Sequence, residues 1–294
     1  MEIIGEKAEE STRLLTLENP VWDILEGVYF KVLPDDTLLD VKAKARRHRT
    51  AVIPVYKSRI SDRAEGFIIV HDLLLTRSYS STRKAKDIAR ISPLVTFQAS
   101  IGEAYELMLR RRLPGLLVVD SFTERNVLGT VTALGLLREL VYMGPPRRPR
   151  LVAATYTELG EEVVSVHWRQ PVTRVLNRIV GGDIVGAIVV DDEAHPQGIV
   201  TVWDFIKTNR WFTRDERKPK SIFGPTPALR GESRKVGVMR VQRLMRKGVP
   251  VATPKTPLRI VARFIAVTGI EMVPVIDDEG ILIGAVTLWD ALKE

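Results

Sequence analysis

Gly284-Ala-Val-Thr-Leu-Trp-Asp290 is the stretch that decides how this chain folds. An apolar run, Val273-Pro-Val-Ile276, and an acidic turn, Asp277-Asp-Glu-Gly280, come before it, and a short helix over Ala291–Glu294 is expected after it. The same words occur earlier as Ala187-Ile-Val-Val190, Asp191-Asp-Glu193 and Gly198-Ile-Val-Thr-Val-Trp-Asp204. Looser copies are Gly66-Phe-Ile-Ile-Val-His-Asp72 and Gly129-Thr-Val-Thr-Ala-Leu-Gly135. Four echoes of one phrase mark an internally repeated protein.

Working outward from those closing words gives the unit. In the first copy Tyr29–Leu33 predicts a strand, and Pro34-Asp-Asp-Thr37 a turn whose side chains cap a following helix. Leu38, Leu39, Val41, Ala43 and Ala45 suggest one helix face, and Ala51-Val-Ile-Pro-Val-Tyr56 a β-branched strand. Gly66–Val70 is a further strand, and a helix is expected over His71–Leu75. One unit therefore reads strand, helix, strand, strand, helix, an α+β pattern. A unit of about 60 residues buries only a modest share of its surface, so pairing two units would complete the burial.

The expected layout follows. Residues 1–20 form an arm, and the first module covers 21–141 with units at 21–75 and 85–141. Gly144-Pro-Pro-Arg-Arg-Pro-Arg150 marks a linker over 142–158, since Pro, Gly and clustered charge punctuate folded segments. The second module covers 159–294, with units at 159–207 and 238–294 and a basic insertion over 208–235 between them.

Composition bounds the function. The 294 residues are 45% apolar, carry a formal net charge of +8 and contain no cysteine. Disulfide frameworks and thiolate metal sites are excluded. No run approaches the roughly 18 to 20 apolar residues of a membrane helix, and the start lacks a signal-peptide layout. A cytoplasmic protein is expected. The four histidines show no metal spacing, and no G-x-S-x-G elbow occurs. No catalytic constellation stands out, so the expectation is a non-enzyme with no catalytic cofactor and no metal.

The closing words carry the chemistry. Thr287 stands where a strand ends and a helix begins, with Asp290 three positions on, as a capping-box variant would have it. The same geometry can serve a ligand. A helix N-terminus favours an anion such as phosphate. A carboxylate can accept from both ribose hydroxyls, and such charge-assisted bonds are the stronger kind.

Taken together, the openings Val21-Trp-Asp-Ile-Leu25 and Val241-Gln-Arg-Leu-Met245, the Thr256-Pro-Leu258 turn, Met272-Val-Pro-Val-Ile-Asp277 and the Gly…Thr-x-x-Asp closings resemble four CBS (cystathionine β-synthase-type) motifs. The resemblance implies four βαββα motifs paired by pseudo-two-fold symmetry into two Bateman modules, packed as a disc within one chain or across a homodimer. It also implies adenosine-containing ligands in the clefts: AMP, ADP, ATP or S-adenosylmethionine. Asp290 and Asp204 would hold the ribose, and Thr287 and Thr201 would contact ribose or phosphate. Thr256, with Ile270 and Met272, would line the fourth-motif site, and Gln170 and Ile184 the third. A regulatory protein signalling to an effector protein is the expected function.

The first module departs from that pattern. Asp72 is present, but Ile69 stands in the Thr position; in the second copy Thr132 remains, but Gly135 replaces the acid. The Gly135 cleft is therefore expected to be empty or differently used, and the second module to be the main sensor. An alternative reading takes the basic linker and the insertion, with Trp211, Phe212 and Phe223 among its basic residues, as a nucleic-acid-binding surface.

Overall fold

The computed structural model describes residues 16–75, 83–142, 163–181, 186–208 and 239–292. Ile184, most of the expected arm and linker, and the basic insertion beyond Thr208 lie outside the described residues.

Each repeat folds around an antiparallel hairpin. The hairpins are β1 (Val52–Tyr56) with β2 (Ala64–Ile69), β4 (Gly115–Val119) with β5 (Val127–Thr132), β7 (Gly186–Val190) with β8 (Pro196–Thr201), and β10 (Met272–Ile276) with β11 (Leu282–Thr287). All four slip register at the same place: between Val55 and Tyr56, Val118 and Val119, Val189 and Val190, and Val275 and Ile276. A bulge conserved in position across copies is a designed bend, and it twists each hairpin alike. The runs are buried on both faces, as in Val52–Tyr56 and Gly115–Val119, which explains their near-continuous apolar character.

The first strand of each unit joins its hairpin in parallel. It is β3 (Leu94–Thr96) in the second unit and β6 (Val163–His167) in the third. In the first and fourth units it shrinks to one parallel bridge, Val32 with Val55 and Ala252 with Val275. The strand expected over 29–33 is thus extended backbone, held at an edge where only one side can pair.

The helices follow their caps. Thr37 accepts from Asp40 N–H at 3.2 Å ahead of α1 (Leu38–His48). Ser100 and Glu103 close a reciprocal box ahead of α3 (Ile101–Arg111). The second helix of each unit is α2 (Asp72–Leu75), α4 (Ala133–Tyr142), α6 (Val202–Lys207) or α8 (Leu288–Leu292). The remaining long helices are α5 (Val172–Gly181) and α7 (Leu258–Thr268).

These helices join the two modules. α4 packs on α7 and α8, so the second and fourth motifs share one core containing Leu136, Leu137, Val261, Ile265 and Leu292. α1 and α2 pack on α5 and α6, so the first and third motifs share another containing Val41, Leu73, Leu74, Val175 and Phe205. Arg138 donates to Ala266 O at 2.9 Å across the first seam. Each fully buried aliphatic side chain contributes about 1.5–3 kcal/mol, so two such cores hold the modules together. The modules therefore meet within one polypeptide, as a disc.

A further feature governs the clefts. Among the described residues, the short segments that open the first, second and fourth motifs each cross to the partner motif. Val21–Ile24 leads into Glu26, which exchanges backbone bonds with Thr130 of the second motif at 2.8 and 2.9 Å. Ala85–Asp87 leads into Arg90, which exchanges bonds with Phe67 of the first motif at 2.7 and 2.8 Å. Val241–Arg243 leads into β9 (Arg246–Lys247), an added edge strand on β8 of the third motif. The crossing explains the glycine that begins the closing words at Gly66, Gly129 and Gly198. A Cβ at Gly66 or Gly129 would stand 2.6 Å from the carbonyl oxygen of Arg90 or Glu26, and one at Gly198 would collide with that of Arg246.

Candidate functional site

The fourth-motif acid is built from the turn upward. β11 ends at Thr287, whose N–H and hydroxyl both donate to Asp290 Oδ2, at 2.9 and 2.7 Å. Asp290 N–H donates back to Thr287 Oγ1 at 3.2 Å. Asp290 is only 7% exposed. The cap thus uses one carboxylate oxygen and fixes the direction of the other. The third motif repeats this: Thr201 N–H and hydroxyl donate to Asp204 Oδ2 at 2.9 and 3.1 Å.

The two Thr–Asp turns approach each other across the second module. β7 and β10 meet where Gly186 leaves room for the Met272 side chain; a Cβ at Gly186 would collide with it. Met272 pairs with Thr287, and Gly186 with Thr201. The ends of the two Thr–Asp turns are thereby brought face to face. Trp203 Nε1 donates across the pair to Glu271 Oε1 at 3.1 Å. Glu271 sits deep between the motifs yet keeps some accessible surface. Burial pushes its carboxyl up to about 7, against the Trp203 bond and the Arg246 charge that pull it down.

Cations gather around Asp204. Arg246 places a guanidinium nitrogen 3.4 Å from Asp204 Oδ1. Lys207, one turn on, has its ammonium pKa lowered by burial and by Arg246 and Arg49, while Asp204 opposes that shift. Arg49 comes from the first motif, at the left-handed end of α1. Cations from three motifs thus gather near this end of α6, and an anionic group fits that field.

The remaining expected residues take these places. Thr256 Oγ1 accepts from Thr253 N–H at 2.9 Å and closes its own turn. Gln170 shapes the equivalent turn, its carbonyl accepting from Val241 N–H at 2.8 Å; its side-chain Oε1 is buried and unpartnered. Ile270 is half-buried beside the small cluster of Ile188, Ile199, Met272 and Ala285. Asp72, 3% exposed, is gripped at both oxygens by Arg90, with Nε at 2.8 Å and Nη2 at 2.6 Å. That pair raises the Arg90 pKa, and burial holds the adjacent His71 down at about 4.

The second cleft holds an acid that its closing word does not supply. Gly135 lacks a carboxylate, but the site does not. Thr132 hydroxyl donates to Glu26 Oε1 at 2.7 Å, and a Cβ on Gly135 would run into that same oxygen. Sequence reasoning also missed Arg90, Arg246 and Glu26 as cleft residues. Each stands five residues after the first apolar residue of an opening word: Val21, Ala85 or Val241. Aligning the openings as well as the closings would have found them.

Acid clusters elsewhere are structural. Asp191, Glu193 and His195 lie close enough to share an ion, yet Asp191 Oδ1 accepts the N–H groups of Glu193 and His195 at 3.1 and 2.8 Å. Asp277 does the same for Glu279 and Ile281. These are turn-closing carboxylates, as side-chain capping of tight turns requires. Among the described residues no helix is long and apolar enough to cross a membrane.

The comparisons agree with this architecture. The CBS-domain family profile matches residues 85–142 and 241–294. A structure from Methanocaldococcus jannaschii, described as a candidate archaeal homologue of γ-AMPK, superposes with a TM-score of 0.74 at 19% identity, covering 94% of this chain and 99% of its own. An uncharacterised conserved protein from Pyrococcus horikoshii gives 0.57 at 21%, with the same coverage of 94% and 99%. No curated protein matches the sequence. At such identities the likeness is one of fold, and it extends over nearly the whole length, including the two repeats that the family profile does not reach. Residues 85–142 and 241–294 are CBS domains, and nearly the whole chain shares the fold of these two structures.

Proposed function

We propose that this chain is a non-catalytic regulatory protein whose second module binds a phosphate-bearing adenosine nucleotide and signals its presence to a partner protein. One observation carries the reading: Asp204 and Asp290 are buried, each pinned through one oxygen by its own threonine, and they stand in equivalent places in paired motifs. A buried carboxylate oriented by a cap can also accept from an outside donor, since its two oxygens carry about four acceptor positions, and a ribose diol supplies such donors. CBS pairs as a family make adenosine compounds the first ligands to test.

The cations at Asp204 narrow the choice. Arg246, Lys207 and Arg49 bring positive charge to this end of α6. AMP, ADP or ATP would bring compensating negative charge; the sulfonium of S-adenosylmethionine would add to the repulsion. Isothermal titration with AMP, ATP and S-adenosylmethionine at two salt concentrations tests this. Nucleotide binding that tightens at low salt, with S-adenosylmethionine weaker, is the expected result. Tighter binding of S-adenosylmethionine would reject the phosphate assignment, and no binding of any of the three would reject the whole reading. Regulation requires the ligand to bind two arrangements of the protein unequally. The seams joining α4 to α7 and α1 to α6 are where such a difference would be transmitted.

A further inference from the structure

The three described openings place one side chain each at the mouth of the partner motif's cleft, and their charges are not alike. Where the closing word supplies an acid, the opening brings a cation: Arg90 on Asp72 and Arg246 on Asp204. Where the closing word supplies Gly135, the opening brings Glu26. The Glu26 carboxylate reaches the space that a side chain at 135 would start from, and it takes the Thr132 hydroxyl bond at 2.7 Å. That matches the Thr287–Asp290 bond, also 2.7 Å. The Thr–carboxylate pair is thus preserved in the second cleft, with the acid arriving from a segment 106 residues away in sequence from Thr132.

We propose that the second cleft is a further ribose-binding site, whose diol-accepting carboxylate is Glu26. This rests on the nucleotide reading given above. A purely structural acid at this depth would be saturated, as Asp72 is by Arg90. Glu26 is held through Oε1 alone among the described residues and stays partly accessible. Burial raises its pKa, while the Thr132 bond and the nearby charge of Arg138 pull the other way. An under-bonded carboxylate in a partly desolvated place binds an incoming hydroxyl pair well, because little water has to be displaced.

The test uses the full chain and AMP as the probe. In the Asp72→Asn/Asp204→Asn/Asp290→Asn background, titration should still show a site that prefers AMP to 2′-deoxy-AMP. Adding Glu26→Gln should weaken that site roughly tenfold to a hundredfold, the effect expected for losing a charged acceptor. Gln preserves the Thr132 bond, and unchanged melting of the added variant would confirm an intact fold. In the same background, Glu26→Ala with Gly135→Asp moves the acid back onto the helix and should restore binding that Glu26→Ala alone abolishes. If wild type binds AMP and the background variant does not, this proposal falls and the nucleotide reading stands. Residual binding that is indifferent to Glu26→Gln also overturns it. If wild type itself binds no AMP, both fall together.

Discussion

Asp72 and Asp290 occupy the same position in two copies of one motif, and they are held in different ways. Both are almost fully buried, at 3% and 7% exposure. Asp290 is held by a threonine that uses one oxygen. Asp72 has Ile69 where that threonine would stand, and Arg90 covers both of its oxygens. A hydroxyl orients a carboxylate without cancelling its charge; a bidentate guanidinium does both. The comparison teaches that keeping the acid of a closing word says little about function until its partner is known.

The largest expected effect on that contrast comes from removing the neutralising partner. Arg90→Met leaves a buried anion uncompensated, which costs about 3–5 kcal/mol for a sealed pair. Arg90 is itself 41% exposed, so solvent reduces the loss to about 2–3 kcal/mol. Guanidinium unfolding at neutral pH should show this fall; an unchanged midpoint would mean that water already solvates Asp72. Asp290→Asn works on the other side of the comparison. It keeps the shape and most of the cap, and should weaken nucleotide binding by about 1.5–3 kcal/mol, roughly tenfold to a hundredfold. Asp72→Asn, by contrast, should hardly alter affinity in calorimetry.

The modules also differ in how pH acts on them. Glu271 of the second module has its folded pKa raised to about 7 from 4.5. The folded state therefore holds a proton that the unfolded chain has released, and stability drops as pH rises from the unfolded value through the folded one. The shift corresponds to about 3 kcal/mol at most, and accessible surface in the cleft lowers this to about 1–2 kcal/mol. His71 of the first module has its folded pKa lowered to about 4 from 6.5. Its neutral form is favoured by folding, so stability is lost as pH falls from 6.5 toward 4. Glu271→Gln should be more stable than wild type at pH 8 and equal at pH 5; stability curves that stay parallel at both pH values would contradict this. The smallest effect is Gly135→Ala, which crowds Glu26 and should cost about 1–2 kcal/mol. Most of that loss should vanish in Glu26→Ala/Gly135→Ala, as a double-mutant cycle would reveal.

The repeat itself was legible because its signals are local. Gly-x-x-Thr-x-x-Asp turns, acidic hairpin loops and alternating apolar runs report on neighbours in sequence. Thr287–Asp290 and Thr201–Asp204 form the expected turns, and the helices begin where their caps stand. The partners of those acids were not legible. Arg90, Arg246 and Glu26 reach their clefts only because each opening crosses to the other motif, and periodicity carries no information about which hairpin a segment will join. The same crossing hid why Gly66, Gly129 and Gly198 are glycine: the carbonyl that demands it belongs to residue 90, 26 or 246. Nor was Glu26 legible beside Gly135, since its carboxylate arrives from a segment far away in sequence.

The exchange of openings has a consequence for how the protein is made. The first motif stays without its Arg90 strap until that residue has left the ribosome, so a nascent first repeat carries Asp72 as an unbalanced buried charge. Glu26, made first of all, waits more than a hundred residues for Thr132. Vectorial synthesis therefore favours folding by whole modules rather than by single repeats, and a ribosome stalled between the two halves of a module would hold an incomplete one.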